Sequence, residues 1–300
     1  MKLTQKLTHS VVSVVFVLSL LILLPTLAPS QTPPPQQDSK PTTLEEFLGQ
    51  VWLMVAPIEI WCGPTLVGSA TGFFFENDGK LYLITNRHVV RQDDSIRGEH
   101  TFPDKLTLLL HTAPQDHTQN AKYEVQLYRD KKSLWKEKPG VDLAAIELPA
   151  QEMLRFKFIS MNPQFLPPDD VLLGAGDEVL IVGYPFGFSD KLHNYPVVRT
   201  GMVASAYPVP FEGHPFFLAD ARLHPGTSGS PVLTAPSGML KTKKGTTMGN
   251  YNLYFLGVNS GEAQFPGGSS GLNSIWYASE VLDLTKASFQ SRVLLYPQEH

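Results

Sequence analysis

The sequence predicts an all-β fold of antiparallel strands, a sandwich or a barrel. Three observations point there. Short apolar runs recur between polar turns over most of the chain, an Asn-Asp-Gly centre joins two of them, and helical spacing is confined to two brief segments.

Folded structure is expected from about Thr43. Thr43 and Glu46 have the spacing of a capping box, in which each side chain satisfies the other's backbone N–H, so residues 44–48 read as a short amphipathic helix. Strands are expected at 51–56, 71–75, 81–85, 105–111, 123–128 and 143–148. The clearest element is the hairpin over 72–85, where Asn77-Asp78-Gly79 supplies the residue types that tolerate the positive φ of a tight turn. It delivers His88 just beyond a strand end. After a linker containing Pro167-Pro168, a second strand-rich block covers 178–183, 196–204, 216–219, 231–233 and 254–258. Residues 236–252, with Lys241, Lys243 and Lys244, read as a long polar loop. Val281, Leu282, Thr285 and Phe289 recur at helical spacing, which predicts a closing helix over 279–289.

At the start, Lys2 and Lys6 precede an apolar run over 11–24, and Ala28-Pro29-Ser30 places small residues where a signal peptidase cuts. Residues 1–30 therefore read as a secretory signal. The run to Ala28 also just reaches the length of a spanning helix, so an uncleaved membrane anchor is the alternative. Either way the remainder is exported, and a secreted or periplasmic location is expected. Residues 31–42 are proline-rich with almost no apolar side chains, which makes them an extended tether. The rest is expected to divide into 43–165 and 166–300. Loss of Lys2 and Lys6 moves the formal net charge from −4 to −6, which argues against nucleic acid as a partner. A single cysteine, Cys62, rules out an intrachain disulfide, so burial must hold the fold. Its expected role is that of a small buried hydrophobe rather than a nucleophile.

The chemistry concentrates in Gly226-Thr227-Ser228-Gly229-Ser230-Pro231. A serine between glycines sits where backbone N–H groups can converge on an attacked carbonyl, although the same residue types also make an ordinary surface turn. Two upstream segments add a base and a carboxylate: Thr85-Asn86-Arg87-His88-Val89-Val90 after one strand, and Val141-Asp142-Leu143 at the start of another. A serine hydroxyl is a weak nucleophile until an imidazole takes its proton, and a buried carboxylate fixes the tautomer of that imidazole. The order His, Asp, Ser disfavours two convergent alternatives. An α/β-hydrolase needs its histidine after the serine, where only His300 remains. A subtilisin needs an aspartate before the histidine, and there Asp38 lies in the proline-rich tract and Asp78 in the hairpin turn. The zinc-protease helix motif and paired cysteines are absent from the sequence, and Pro114 interrupts His111 and His117, so no metal or other cofactor is expected.

Together these segments resemble the chymotrypsin-like (trypsin-like) serine proteases, in particular the disulfide-free bacterial branch that includes the HtrA/Deg proteases and the V8-like glutamyl endopeptidases. Five segments correspond in order: 68–90, 141–148, 179–187, 217–233 and 256–261. Ile181-Val182-Gly183-Tyr184-Pro185-Phe186-Gly187 and Asp220-Ala221-Arg222-Leu223-His224-Pro225-Gly226 are similar to HtrA segments, whereas Ser228-Gly229-Ser230-Pro231-Val232 is nearer the V8-like enzymes. The resemblance implies two antiparallel six-stranded β-barrels with the active site between them, followed by a C-terminal helix. It implies His88 as general base, Asp142 as the carboxylate that orients it and Ser228 as nucleophile, with the N–H groups of Gly226 and Ser228 forming the oxyanion hole. Val258, Asn259, Ser260 and Gly261 correspond to the strand that pairs with substrate backbone. The expected partner is then an extended polypeptide, cut through an acyl-enzyme.

Three departures from the family pattern matter. Thr227 replaces the aspartate that in trypsin pairs with a newly cut N-terminus, so that activation is not expected. Ser230 replaces a glycine of the usual trypsin motif, as in V8-like enzymes. The sequence stops soon after the expected last helix, so the PDZ domain of typical HtrA proteins is not expected. Specificity stays open: Arg222, near the base of the primary pocket by family position, favours an acidic residue before the cut. Val258 stands where many glutamate-specific relatives carry a histidine, which favours a small or medium apolar residue instead. HtrA relatives assemble into trimers, but no interface residue is identifiable and the oligomeric state stays open. The alternative from another class is a peptide-binding or chaperone-like module on the same fold, without turnover.

Overall fold

The computed structural model describes residues 43–91, 102–265, 268–291 and 293–295. The signal segment 1–30, the tether 31–42 and His300 lie outside them, and among the described residues no helix is long and apolar enough to cross a membrane.

Helix α1 (Leu44–Gln50) opens with the expected capping box: the Glu46 N–H donates to the Thr43 hydroxyl at 3.1 Å and the Thr43 N–H to the Glu46 carboxylate at 3.2 Å. The strand expected at 51–56 begins later. Val51–Leu53 is a 3-10 turn and β1 is Val55–Cys62. Val51, Leu53 and Met54 all enter one core with Phe47, and a run whose neighbours face the same way cannot alternate across a strand. Strands β2 (Thr65–Asn77) and β3 (Lys80–Thr85) form the expected hairpin. Asn77 pairs with Lys80, and the residues between them, Asp78 and Gly79, have φ of 49° and 72°, as a two-residue primed turn requires.

Beyond α2 (Arg87–Val90) lie β4 (Lys105–His111), β5 (Asn120–Gln126), the short β6 (Tyr128–Arg129) and β7 (Lys132–Ser133), then β8 (Trp135–Glu137) and β9 (Ala144–Leu148). Helix α3 (Ala150–Met153) and β10 (Ser160–Met161) complete this half. Its sheet has eight strands, ordered β5-β4-β1-β2-β3-β9-β8 with β10 alongside β2, and the end strands β5 and β8 are not paired with each other. Among the described residues the pairing therefore does not close this half into a barrel.

The second half holds β11 (Glu178–Gly183), β12 (Val197–Val203), β13 (Phe216–Asp220) and β14 (Pro231–Thr234), followed by β15 (Ser237–Thr242) and β16 (Gly245–Asn252). The last elements are β17 (Phe255–Phe265), β18 (Gly268–Tyr277) and α4 (Ala278–Thr285). Here β11-β12-β13-β18-β17-β14 do close, into a six-stranded barrel. Strand β18, which joins β13 to β17, has no counterpart in the sequence reading because its first half is glycine and serine. The segment expected as a loop is the β15–β16 hairpin, with Thr242 paired to Gly245. Exposure alternates along β15, so this is a strand with one wet face, and its polar composition disguised it.

The two halves share a core. In β2, Phe74 faces the interior of the first half, whereas Phe73 and Phe75 enter a cluster that also takes Leu180 and Val182 of β11, Phe255 of β17 and Val281 and Leu284 of α4. Val179 and Ile181 face the barrel interior instead. Burial on both faces explains why these strands read as unbroken apolar runs rather than alternating ones. The ring of Phe73 meets that of Phe255 edge-on at 5.2 Å across the junction. Helix α4 ends at Thr285, short of the expected 289, and the tail returns to the first half, where the Ser133 N–H donates to the Leu294 carbonyl at 2.8 Å. Cys62, expected to be buried, is partly exposed at the end of β1.

Candidate active site

His88 lies in the single turn α2, immediately after β3. Asn86 precedes the turn: its side-chain amide donates to the Asp142 carbonyl at 2.8 Å, fastening the residues before β9 to the start of α2. Asp142 then meets His88 twice. The His88 backbone N–H donates to Oδ1 at 3.0 Å, and Nδ1 lies 2.7 Å from Oδ2. The Ser260 hydroxyl donates to the same Oδ2 at 2.5 Å. Burial pushes the Asp142 carboxyl up, but the hydrogen bonds and charge of His88, with the Ser260 hydroxyl, outweigh it and hold the group below its ordinary range. The carboxylate is thus ionised, largely shielded and committed to one edge of the imidazole, which leaves Nε2 as the free ring nitrogen on a side chain that is 44% exposed.

Ser228 sits in a loop whose backbone is almost fully used. The Pro225 carbonyl accepts from the Phe186 N–H at 2.6 Å and the Gly226 carbonyl from the Thr71 hydroxyl at 2.9 Å. The Thr227 carbonyl accepts from the Asn259 amide at 2.9 Å, and the Ser228 carbonyl from the Thr71 N–H at 2.9 Å. Among the described residues, the N–H groups of Gly226 and Ser228 have no protein acceptor, whereas those of Thr227, Gly229 and Ser230 donate to the carbonyls of His224, Asn259 and Thr227. Two donors are therefore left unspent beside the hydroxyl. Gly226 has φ of 92°, and a Cβ there would stand 2.6 Å from the Tyr184 carbonyl oxygen and 2.7 Å from the Phe186 nitrogen, so glycine is required on both counts.

Ser228 opens onto a cavity of about 740 Å³ lined in part by Asp220, Arg222, His224, Gly261 and Glu262. Of the four residues expected to meet substrate through β17, Val258 and Asn259 have fully buried side chains: Val258 belongs to the shared core and Asn259 braces Thr227. Ser260 is committed to Asp142, and Gly261 alone lines the cavity. Strand β17 pairs with β14 only as far as Val258, but with β18 as far as Phe265, so beyond the Asn259 bonds its other edge carries no strand partner among the described residues.

The structure brings together His88 and Asp142, and Ser228 with Gly226. Among the described residues no hydrogen bond joins the Ser228 hydroxyl to His88. Asn86, Thr71 and Phe186 also belong to the site and were not singled out from sequence. A threonine ahead of glycine at a strand centre and a backbone N–H in a turn carry no chemical signature. Among the described residues no three metal-ligating side chains converge; the rings of His111 and His117 meet at a tilt of 42° with centres 5.1 Å apart, and His117 Nδ1 bonds the Tyr195 hydroxyl at 2.5 Å.

Residues 70–240 match the family described as trypsin-like peptidase domain. Among solved structures, an HtrA-type protease, AlgW with a tripeptide, is 18% identical, with a TM-score of 0.48 over 79% of this chain and 60% of that one. A serine endoprotease from Yersinia pestis is 16% identical, with a TM-score of 0.47 over 81% of this chain and 65% of that one. The chain thus spans less than two thirds of the length of these structures. No curated protein matches it.

Proposed function

Because the chain belongs to the trypsin-like peptidase family, we propose that it is a serine endopeptidase that hydrolyses extended polypeptides through an acyl-enzyme. The observation that carries this reading is the pair of unspent N–H groups on Gly226 and Ser228 beside a hydroxyl, in a loop whose carbonyls from Pro225 to Ser228 are all occupied. In this reading His88 Nε2 takes the Ser228 proton as Oγ bonds to the scissile carbonyl carbon. The carbonyl oxygen gains the negative charge and meets the two N–H groups. Collapse of this intermediate expels the amine, which leaves with the proton from His88. Water then repeats the sequence on the ester and releases the acid. Asp142 keeps the proton of neutral imidazole on Nδ1 and stabilises the imidazolium.

The unpaired edge of β17 beyond Asn259 supports substrate entry as an added strand, with a side chain directed to the cavity that Arg222 lines. We read the eight-stranded sheet as the counterpart of the family's other barrel with its seam unpaired, and residues 1–30 as the device of export. A second reading, a peptide-binding module without turnover, is favoured by the absence of a hydrogen bond between Ser228 and His88. That bond is often long in unliganded sites and tightens with substrate, so it decides little alone. Incubation of the full chain with unfolded casein separates the two: the protease reading predicts metal-independent cleavage that Ser228→Ala abolishes, and intact casein from a folded wild type leaves the binding module.

A further inference from the structure

Gly226 is the weak point of the proposed oxyanion hole. Its N–H belongs to the 225–226 peptide and its carbonyl to the 226–227 peptide. Glycine lets the two planes rotate with little resistance, so the aim of that N–H must be set from outside the loop. The first plane is tied by the Phe186 N–H on the Pro225 carbonyl at 2.6 Å. The second is tied by a side chain from the other half of the molecule, the Thr71 hydroxyl on the Gly226 carbonyl at 2.9 Å.

Every polar group of Thr71 is engaged. The hydroxyl, while donating to Gly226, accepts from the Tyr184 N–H at 3.0 Å. The N–H donates to the Ser228 carbonyl at 2.9 Å, and the Thr71 carbonyl accepts from the Thr85 hydroxyl at 2.9 Å. Thr71 is fully buried at the centre of β2, and Thr85 ends β3 three residues before His88. One residue therefore links the end of β3, which leads into the turn of His88, to the carbonyls of Gly226 and Ser228.

We propose that the Thr71 hydroxyl is a positioning group: by fixing the 226–227 peptide it anchors Gly226 on the side that Phe186 does not hold, and so keeps the 225–226 peptide, which bears the Gly226 N–H, aimed at the developing oxyanion. Thr71 touches neither substrate nor reacting atoms, and this inference rests on the protease reading above. The hydroxyl is needed for the transition state and not for binding the peptide chain, so its loss lowers kcat and leaves KM nearly unchanged.

The test uses the full chain as wild type, Thr71→Val and Thr71→Ser, with casein-derived peptide turnover, the inhibition constant of a peptide boronate that forms a tetrahedral adduct on Ser228, and thermal unfolding. Misaiming one donor predicts a fall in kcat of about a hundredfold for Thr71→Val, with KM within about twofold and boronate affinity weakened in step with kcat. Thr71→Ser, which keeps the hydroxyl, is expected within a few-fold of wild type. The inference is overturned if Thr71→Val keeps full kcat, if boronate affinity holds while kcat falls, or if the serine variant falls as far as the valine. Should Thr71→Val not fold, Thr71→Ala carries the same expectation and the same overturning results. A wild type that neither turns over peptide nor binds the boronate defeats the protease reading itself, and is told apart by that.

Discussion

His88 and Asp142 are joined at two points, backbone to Oδ1 and imidazole to Oδ2, so the carboxylate fixes both where the ring stands and which nitrogen bears its proton. Asp142→Asn keeps the shape but presents an N–H where the ring needs an acceptor. A fall in kcat of about ten-thousandfold is expected, with the fold retained. Steady-state turnover alongside circular dichroism checks it; a variant within tenfold of wild type would show that Asp142 does not set the tautomer.

The same carboxylate makes stability depend on pH with a definite sign. Its folded value lies below the ordinary 3.8, so its contribution is complete above that value and is lost as the pH falls through the lower folded value. Asp142→Asn cannot titrate. The difference in Tm between the two proteins is therefore expected to shift against the wild type as the pH drops below 3.8. A difference that stays flat through the acid range contradicts a depressed carboxyl.

Gly226→Ala meets two obstacles at once, a φ of 92° and a Cβ 2.6 Å from the Tyr184 carbonyl oxygen. The loop must move, and with it one of the two free N–H groups. Turnover is expected to fall by about a hundredfold to a thousandfold. The substitution should leave the shared core intact, so a large loss of Tm would point to a structural role for this loop instead.

Phe255 is fully buried where the halves meet, against Phe73. Phe255→Ala is expected to lower unfolding stability by about 3–5 kcal/mol, read from urea denaturation. A change below about 1 kcal/mol would mean that the junction repacks around the void or contributes little.

Arg222 lines the cavity beside Ser228, and among the described residues no carboxylate pairs with it. An exposed pairing with a substrate carboxylate is worth roughly 1 kcal/mol, so Arg222→Ala is expected to lower cleavage after acidic residues about fivefold relative to apolar ones. A peptide panel in which the ratio does not move assigns Arg222 no part in selectivity.

Much of this was legible in the sequence where one local rule decides the outcome. Thr43 with Glu46 gave the first helix its start, and Asp78-Gly79 gave the hairpin its turn. What escaped depended on partners far away in the chain. Val51–Leu53 turns rather than extends because Phe47 and the shared core claim its neighbours together. Strand β18 is made by β13 and β17 on either side, not by its own glycines and serines. At the site, the motif around Ser228 and its resemblance pointed to the residues for which the chemistry is proposed. The role of Asn259 in bracing Thr227 and that of Thr71 under Gly226 are hydrogen bonds to backbone, which leave no pattern in composition or spacing.

The central claim concerns one hydroxyl made nucleophilic by one imidazole. Treatment of the full chain with a fluorophosphonate, followed by peptide mass mapping, tests it most directly. A single phosphonyl adduct on Ser228 is predicted, lost in His88→Ala, with turnover in both single variants and in the double variant reduced alike by roughly a millionfold. A folded wild type that stays unmodified at Ser228, or a His88→Ala variant that labels as fast as wild type, contradicts the account.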